Sequence, residues 1–275
     1  MISNSVTNSL SVTTFQTLKE KGSKIVMATA YDYAMARTIR DTEVSIILVG
    51  DSLGMVVLGY ENTLQVTMED MVYHTQAVRR GALYNFILAD MPYMSYHISL
   101  EETRKNAARL VTSGKANAVK LEGGSPARID AIKAIIDCEI PVCGHIGLTP
   151  QSINKLGGYK VQGKTQEEYD RLMDEAVLIN KAGAFMLVLE GIPEALAKAI
   201  TETVSIPTVG IGAGRFCDGQ VLVFHDMLGW SEFLPKFVKK YAETGKNMTT
   251  AINSFAKEVK EGTFPTREQV YYPID

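Results

Sequence analysis

Five acidic residues in this 275-residue chain share one setting, because each ends a short apolar run. They are Asp51 after ILVG, Asp90 after FILA, Glu122 after VKL, Glu190 after FMLVL and Asp226 after VFH. Taken singly, such an acid is more often a solvated loop carboxylate or a helix cap than a functional group. Recurrence reverses that reading. In a closed barrel of parallel strands the carboxyl ends all open on one mouth, so acids that end separate strands gather there. Carboxylates crowded into a partly buried space repel one another unless a cation or a basic group compensates. A metal is the simplest compensation, and oxygen ligands without a His and Cys set favour magnesium or manganese over zinc. Strand-end position alone would let any of the five hold the ion. Asp226 is the weakest member, since His225 and Asp226 could equally cap the turn that follows.

Other residues could work beside these acids. Lys120 stands two residues before Glu122, so the two-residue period of a strand puts both side chains on one face. A lysine in mid-strand is costly unless it meets anions, either a substrate carboxylate or Glu122 in a structural ion pair. His145, in GHIGLTPQ, could hydrogen-bond a substrate oxygen or be a satisfied buried histidine. The run from Gly210 to Gly214 ends another apolar segment, and a glycine-rich turn there could bring backbone amides close to an anion. Thr149 to Lys164 has three glycines and no clear periodicity, which suits a lid or a surface loop.

These residues require a scaffold. Short apolar runs alternate with longer amphipathic segments, the pattern of strand, crossover helix and strand in a parallel sheet. Eight runs occur: Lys24 to Tyr31, Ser45 to Gly50, Asn85 to Ala89, Ala118 to Leu121, Pro141 to His145, Ala184 to Leu189, Pro207 to Gly212 and Gln220 to His225. Their near-continuous apolar character says that both faces are covered. Helix starts are marked by Thr67 before Asp70, Ser99 before Glu102 and Thr165 before Glu168, each a hydroxyl three residues ahead of an acid. Two amphipathic segments after the last run, around 233–241 and 252–259, are expected to finish an outer ring of helices. The reading is a single-domain (β/α)8 barrel over residues 15–275, preceded by a polar tail over 1–14.

Composition narrows the function classes. A formal charge of −3 provides no basic stripe for nucleic acid. No apolar run approaches the length of a membrane span, and the first thirteen residues lack the pattern of a secretion signal. The three cysteines, Cys138, Cys143 and Cys217, have no metal-ligand spacing and suit a reducing compartment, so the cytoplasm is expected.

The motifs TAYDY (29–33), LVGDSLG (48–54), ADMPY (89–93), VKLEGG (119–124), GHIGLTPQ (144–151), GGYKVQG (157–163), VLEG (188–191) and GIGAG with CDGQVLV (210–223) resemble the ketopantoate hydroxymethyltransferases, also called 3-methyl-2-oxobutanoate hydroxymethyltransferases. The resemblance runs from about Phe15 to Gly229. Departures are Tyr93 and Met94 in place of Phe and Gly, and His97 where Gln is usual. The resemblance implies a (β/α)8 barrel with magnesium on Asp51, Asp90 and Glu122. It also implies that Asp51, Ser52, Asp90 and Lys120 meet the oxo acid and that Glu190 is the proton acceptor. The implied reaction moves a one-carbon unit from 5,10-methylenetetrahydrofolate to 3-methyl-2-oxobutanoate, giving 2-dehydropantoate through a magnesium-stabilised enolate. A homo-oligomer, a decamer, is implied as well.

Three other readings compete. A lyase of the phosphoenolpyruvate mutase and isocitrate lyase kind would carry a catalytic cysteine loop, and none of the cysteines has that context. Lys120 as a Schiff-base nucleophile needs a depressed ammonium pKa, which Glu122 should oppose. A non-catalytic nucleotide module would use Gly210 to Gly214 as its phosphate cradle and would not need the acids.

Overall fold

The structure, a computed structural model, describes residues 10–273. Eight parallel strands close into a barrel in sequence order. They are β1 Ile25–Thr29, β2 Ile46–Val49, β3 Phe86–Asp90, β4 Ala118–Glu122, β5 Val142–Gly147, β6 Met186–Glu190, β7 Thr208–Ile211 and β8 Gly219–Leu222. The helices are α1 Val12–Glu20, α2 Tyr33–Arg40, α3 Leu53–Val56, α4 Met68–Gly81, α5 Leu100–Thr112, α6 Pro126–Ile136, α7 Ile153–Leu156, α8 Gln166–Lys181, α9 Glu194–Thr203, α10 Phe224–Met227 and α11 Thr244–Glu261. The expected start signals cap their helices: Thr67 accepts from the Asp70 amide, Ser99 from Glu102 and Thr165 from Glu168.

Alternation along the strands builds the interior. Ile25 and Met27, Ile46 and Leu48, Phe86 and Leu88, Met186 and Val188 belong to one buried apolar cluster with Val209 and Val221. Toward the carboxyl ends the same inward parity reaches Asp90, Lys120, Glu122, His145 and Glu190. The register sets their levels, pairing Asp90 with Lys120, Glu122 with His145 and Gly147 with Glu190. The barrel thus changes from an apolar filling to an ionic rim within one strand length.

The expected polar tail over 1–14 ends earlier than the sequence suggests. Residues 1–9 lie outside the described residues, and α1 begins at Val12. Its Phe15 is fully buried in the apolar cluster and meets Phe86 edge to face at 5.0 Å, while Leu10 and Val12 pack against the same cluster. Lys19 adds a hydrogen bond to the Thr201 carbonyl and an ion pair with Asp218 at 2.8 Å.

The chain divides into two compact units, Met1–Val223 and Phe224–Asp275, and all eight strands lie in the first. The second unit departs from the sequence reading in two ways. Strand eight ends at Leu222, and Phe224–Met227 closes into a helical turn whose carbonyls at Phe224 and Asp226 accept from Leu228 and Gly229. Asp226 is therefore not a strand-end acid. Nor do the two amphipathic segments bury their stripes. The stretch around 233–241 forms no helix, as expected for a segment interrupted by Pro235, which lacks an amide. α11 does form, but none of its residues is buried, and Ile252, Phe255 and Val259 stay 63, 54 and 48% exposed.

Candidate active site

Six of the expected residues form one linked set at the carboxyl ends of β2 to β6. Asp51 follows β2, where Gly50 leaves room for a close approach: a Cβ there would lie 2.8 Å from Ser52 Oγ. With that room, the Asp51 amide donates to Asp90 Oδ2 at 3.1 Å. Asp90 Oδ1 forms an ion pair with Lys120 Nζ at 3.0 Å but has no hydrogen-bond partner among the described residues. Lys120 Nζ also stands 3.3 Å from His145 Nδ1. His145 then joins two further acids, with Nδ1 3.6 Å from Glu122 Oε1 and Nε2 3.2 Å from Glu190 Oε2. Asp51, Asp90, Lys120, Glu122 and His145 are all buried, whereas the Glu190 side chain is 17% exposed.

Burial and crowding shift these groups in different directions. Burial, then the charges of Asp90 and Glu122, raise the Asp51 carboxyl well above its ordinary range. Burial also raises Asp90, although Lys120 opposes it. In Glu122 burial is outweighed by the close approach of His145 and by the charge of Lys120, and the carboxyl is lowered. Lys120 is buried, yet Asp90, Glu122 and Asp51 together raise its ammonium pKa. A lysine held so firmly in its charged form is a poor Schiff-base nucleophile. His145 is pulled down by burial and Lys120, but Glu122 and Glu190 carry it up to about 9.

Ser52 sits beside Asp51 and its hydroxyl is 2.9 Å from that of Tyr31, a fully buried residue after β1. Tyr31, Tyr96 and Gln151 are site residues that the sequence reading did not single out. The Gln151 amide nitrogen donates to Asp51 Oδ2 at 2.7 Å and to the Met91 carbonyl at 2.9 Å, and its backbone amide donates to Glu122 Oε2 at 3.0 Å. Tyr96 donates from its hydroxyl to Gln151 Oε1 at 2.5 Å and accepts from the Glu122 amide at 3.2 Å. Gln151 opens the connection from Thr149 to Lys164, which carries a 3-10 turn at Pro150–Ser152 and then α7. Farther along, the Tyr159 hydroxyl donates to Met55 Sδ at 3.4 Å, and the Gln162 amide donates to the Gly191 carbonyl at 2.9 Å.

Two expected features have other partners. Asp226 accepts from the Ser231 hydroxyl within the second unit. The turn through Gly214 already holds an acid: Glu194 Oε2 accepts from the Arg215 amide at 3.0 Å, and a Cβ on Gly214 would come within 2.4 Å of the Glu194 side chain. A phosphate would have to displace that carboxylate, which weighs against a nucleotide cradle.

The buried donor set of Asp51, Asp90 and Glu122 is all oxygen, and with Glu190 its negative charge exceeds what Lys120 and His145 supply. That chemistry fits a hard divalent cation. Among the described residues no group of three or more His, Cys, Asp or Glu side chains is already gathered closely enough to hold one. The fit therefore lies in charge, burial and donor type.

Fold and rim together define a (β/α)8-barrel enzyme with a carboxylate-lined mouth. Solved structures with the same fold include phosphonopyruvate hydrolase in complex with oxalate and magnesium, 9% identical with a TM-score of 0.62 over 95% of this chain and 91% of that one. Another is 2,3-dimethylmalate lyase, described as a member of the PEP mutase/isocitrate lyase superfamily, 15% identical with a TM-score of 0.61 over 94% and 91%. Sequence is more specific. The family described as ketopantoate hydroxymethyltransferase matches residues 9–267. The 3-methyl-2-oxobutanoate hydroxymethyltransferase of Clostridium beijerinckii is 56% identical over 94% of both chains, and that of Clostridium acetobutylicum 58% identical over 92% of this chain and 91% of its own. The chain belongs to the ketopantoate hydroxymethyltransferase family and is a hydroxymethyl transferase of pantothenate biosynthesis. Among the described residues no helix is long and apolar enough to cross a membrane.

Proposed function

We propose that the chain moves the one-carbon unit of 5,10-methylenetetrahydrofolate to 3-methyl-2-oxobutanoate, giving 2-dehydropantoate, with magnesium or manganese held by Asp51, Asp90 and Glu122. The observation that carries this reading is the burial of three carboxylates at the ends of β2, β3 and β4, with Asp90 joined both to Asp51 and to Lys120, and with Glu190 across His145. When bound, the ion would act as a Lewis acid toward the carboxylate and ketone oxygens of a 2-oxo acid and so acidify its C3 proton. Lys120 balances the substrate's negative charge, and its raised pKa keeps the ammonium charged throughout. Ser52 presents a hydroxyl to the same molecule, and His145 can hydrogen-bond a substrate oxygen. Glu190, the least enclosed acid of the set, accepts the proton from C3. C3 then attacks the folate-borne methylene, and water replaces the folate nitrogen on that carbon, supplying the hydroxyl oxygen of the product and releasing tetrahydrofolate.

The unburied apolar stripe of α11 supports the further reading that the chain works as a homo-oligomer, since an exposed stripe of that kind is ordinarily covered. The cytoplasm is its proposed compartment. The test is an assay of tetrahydrofolate-dependent hydroxymethylation of 3-methyl-2-oxobutanoate with and without magnesium. Turnover that survives exhaustive chelation, or a borohydride-trapped adduct on Lys120, would overturn the metal reading.

A further inference from the structure

We propose that Gln151 is a positioning residue that sets Asp51 and Glu122 in place for the divalent ion, and that Tyr96 fixes the orientation of its side-chain amide. The proposal rests on the reading of Asp51, Asp90 and Glu122 as the metal set.

Gln151 and Tyr96 are both buried, 5 and 3% exposed, so their polar atoms need partners inside the protein. They find them among the acids. One Gln151 amide hydrogen goes to Asp51 Oδ2 and the other to the Met91 carbonyl, while the backbone amide goes to Glu122 Oε2. A single residue from the chain after β5 therefore grips the ends of β2, β3 and β4. The amide cannot be turned over without loss. A flip would set its oxygen against the Asp51 carboxylate and the Met91 carbonyl, and its nitrogen against the Tyr96 hydroxyl. That hydroxyl accepts from the Glu122 amide, so its own proton is left for Gln151 Oε1.

The choice of an amide has an electrostatic consequence. A neutral donor occupies an Asp51 oxygen and orients the carboxylate without cancelling the charge that a cation needs. An ammonium or guanidinium at that place would compete with the metal, and a carboxylate would add repulsion to a group already crowded by Asp90 and Glu122. Hydrogen bonds to the ligands of a metal ordinarily govern its affinity by about 10–100-fold when removed.

The experiment measures manganese affinity by calorimetry on the substrate-free protein for the wild type, Gln151→Asn and Tyr96→Phe, with melting temperature recorded for each. Asparagine keeps the amide but is one methylene too short to reach the same partners, and the phenylalanine variant keeps the ring and removes only the hydroxyl. The expected result is a loss of about 10–100-fold in affinity for Gln151→Asn and a smaller loss for Tyr96→Phe. The concentration of magnesium giving half-maximal activity should rise in step with the loss of affinity. Unchanged metal affinity in a folded Gln151→Asn protein overturns the proposal. If that variant does not fold, unchanged affinity in Tyr96→Phe does so. A wild type that binds no divalent ion removes the metal reading itself, an outcome visible before any variant is compared.

Discussion

The barrel mouth has two unequal arcs. Along β2 to β6 the inward positions at the carboxyl ends are occupied by Asp90, Lys120, Glu122, His145 and Glu190, with Asp51 just beyond β2. Along β7, β8 and β1 the strands end at Ile211, Leu222 and Thr29, and no acid or base stands at the last position. The two arcs share one fold and one register rule, so the fold alone does not decide where chemistry occurs. The charged arc persists because Asp90, Glu122 and Glu190 lie beside Lys120 or His145, while Asp51 is held by the Gln151 amide. An isolated charge at the same depth would lack that compensation.

This contrast can be tested by removing charge from the charged arc and then from Asp226, beyond β8. The largest effect is expected from stripping the proposed ion: chelation should abolish turnover, and added magnesium or manganese should restore it in a steady-state assay. Next, Glu190→Gln should lower kcat by about 10²–10⁴-fold while binding of oxo acid and manganese, followed by calorimetry, is retained. Unchanged turnover in that variant would remove Glu190 as the base. Lys120→Met should raise the KM for the oxo acid and destabilise the fold by about 3–5 kcal/mol in denaturant titration, because Asp90 loses its buried counter-ion.

The smallest effect is expected beyond β8, at Asp226. Burial raises its carboxyl pKa, with Ser231 only partly opposing the shift. A carboxyl whose folded pKa lies above the unfolded value costs stability once it ionises, so the cost is absent below the unfolded pKa and complete above the raised one. Asp226→Asn should leave turnover within about two-fold, leave the melting temperature unchanged near pH 3, and raise it at pH 7. A large loss of turnover would show that the charged groups needed for turnover are not confined to β2 to β6.

How far the site could be read from sequence follows from the same geometry. Asp51, Asp90, Glu122 and Glu190 were legible because an acid after an apolar run is a local signal, and Lys120 followed from the two-residue period of a strand. Thr67, Ser99 and Thr165 were legible as caps for the same reason, since each acts within three residues of itself. Gln151, Tyr96 and Tyr31 are neutral, lie off the strands, and matter through partners distant in the chain; Gln151 is 100 positions from Asp51. No local periodicity announces such contacts. Asp226 misled because VFHD looks like a strand ending on an acid, while the segment closes a helical turn after Leu222. The stripe of α11 announced a helix correctly but could not say what would cover it.

Phe15 and the start of α1 have a consequence for traffic. With Phe15 seated among the first residues of the strands, the amino-terminal end of the barrel is stoppered, and apolar side chains fill the interior above it. The barrel is a blind well. For the proposed reaction, an oxo acid would therefore have to reach the charged arc from the carboxyl ends of the strands, the side opposite Phe15.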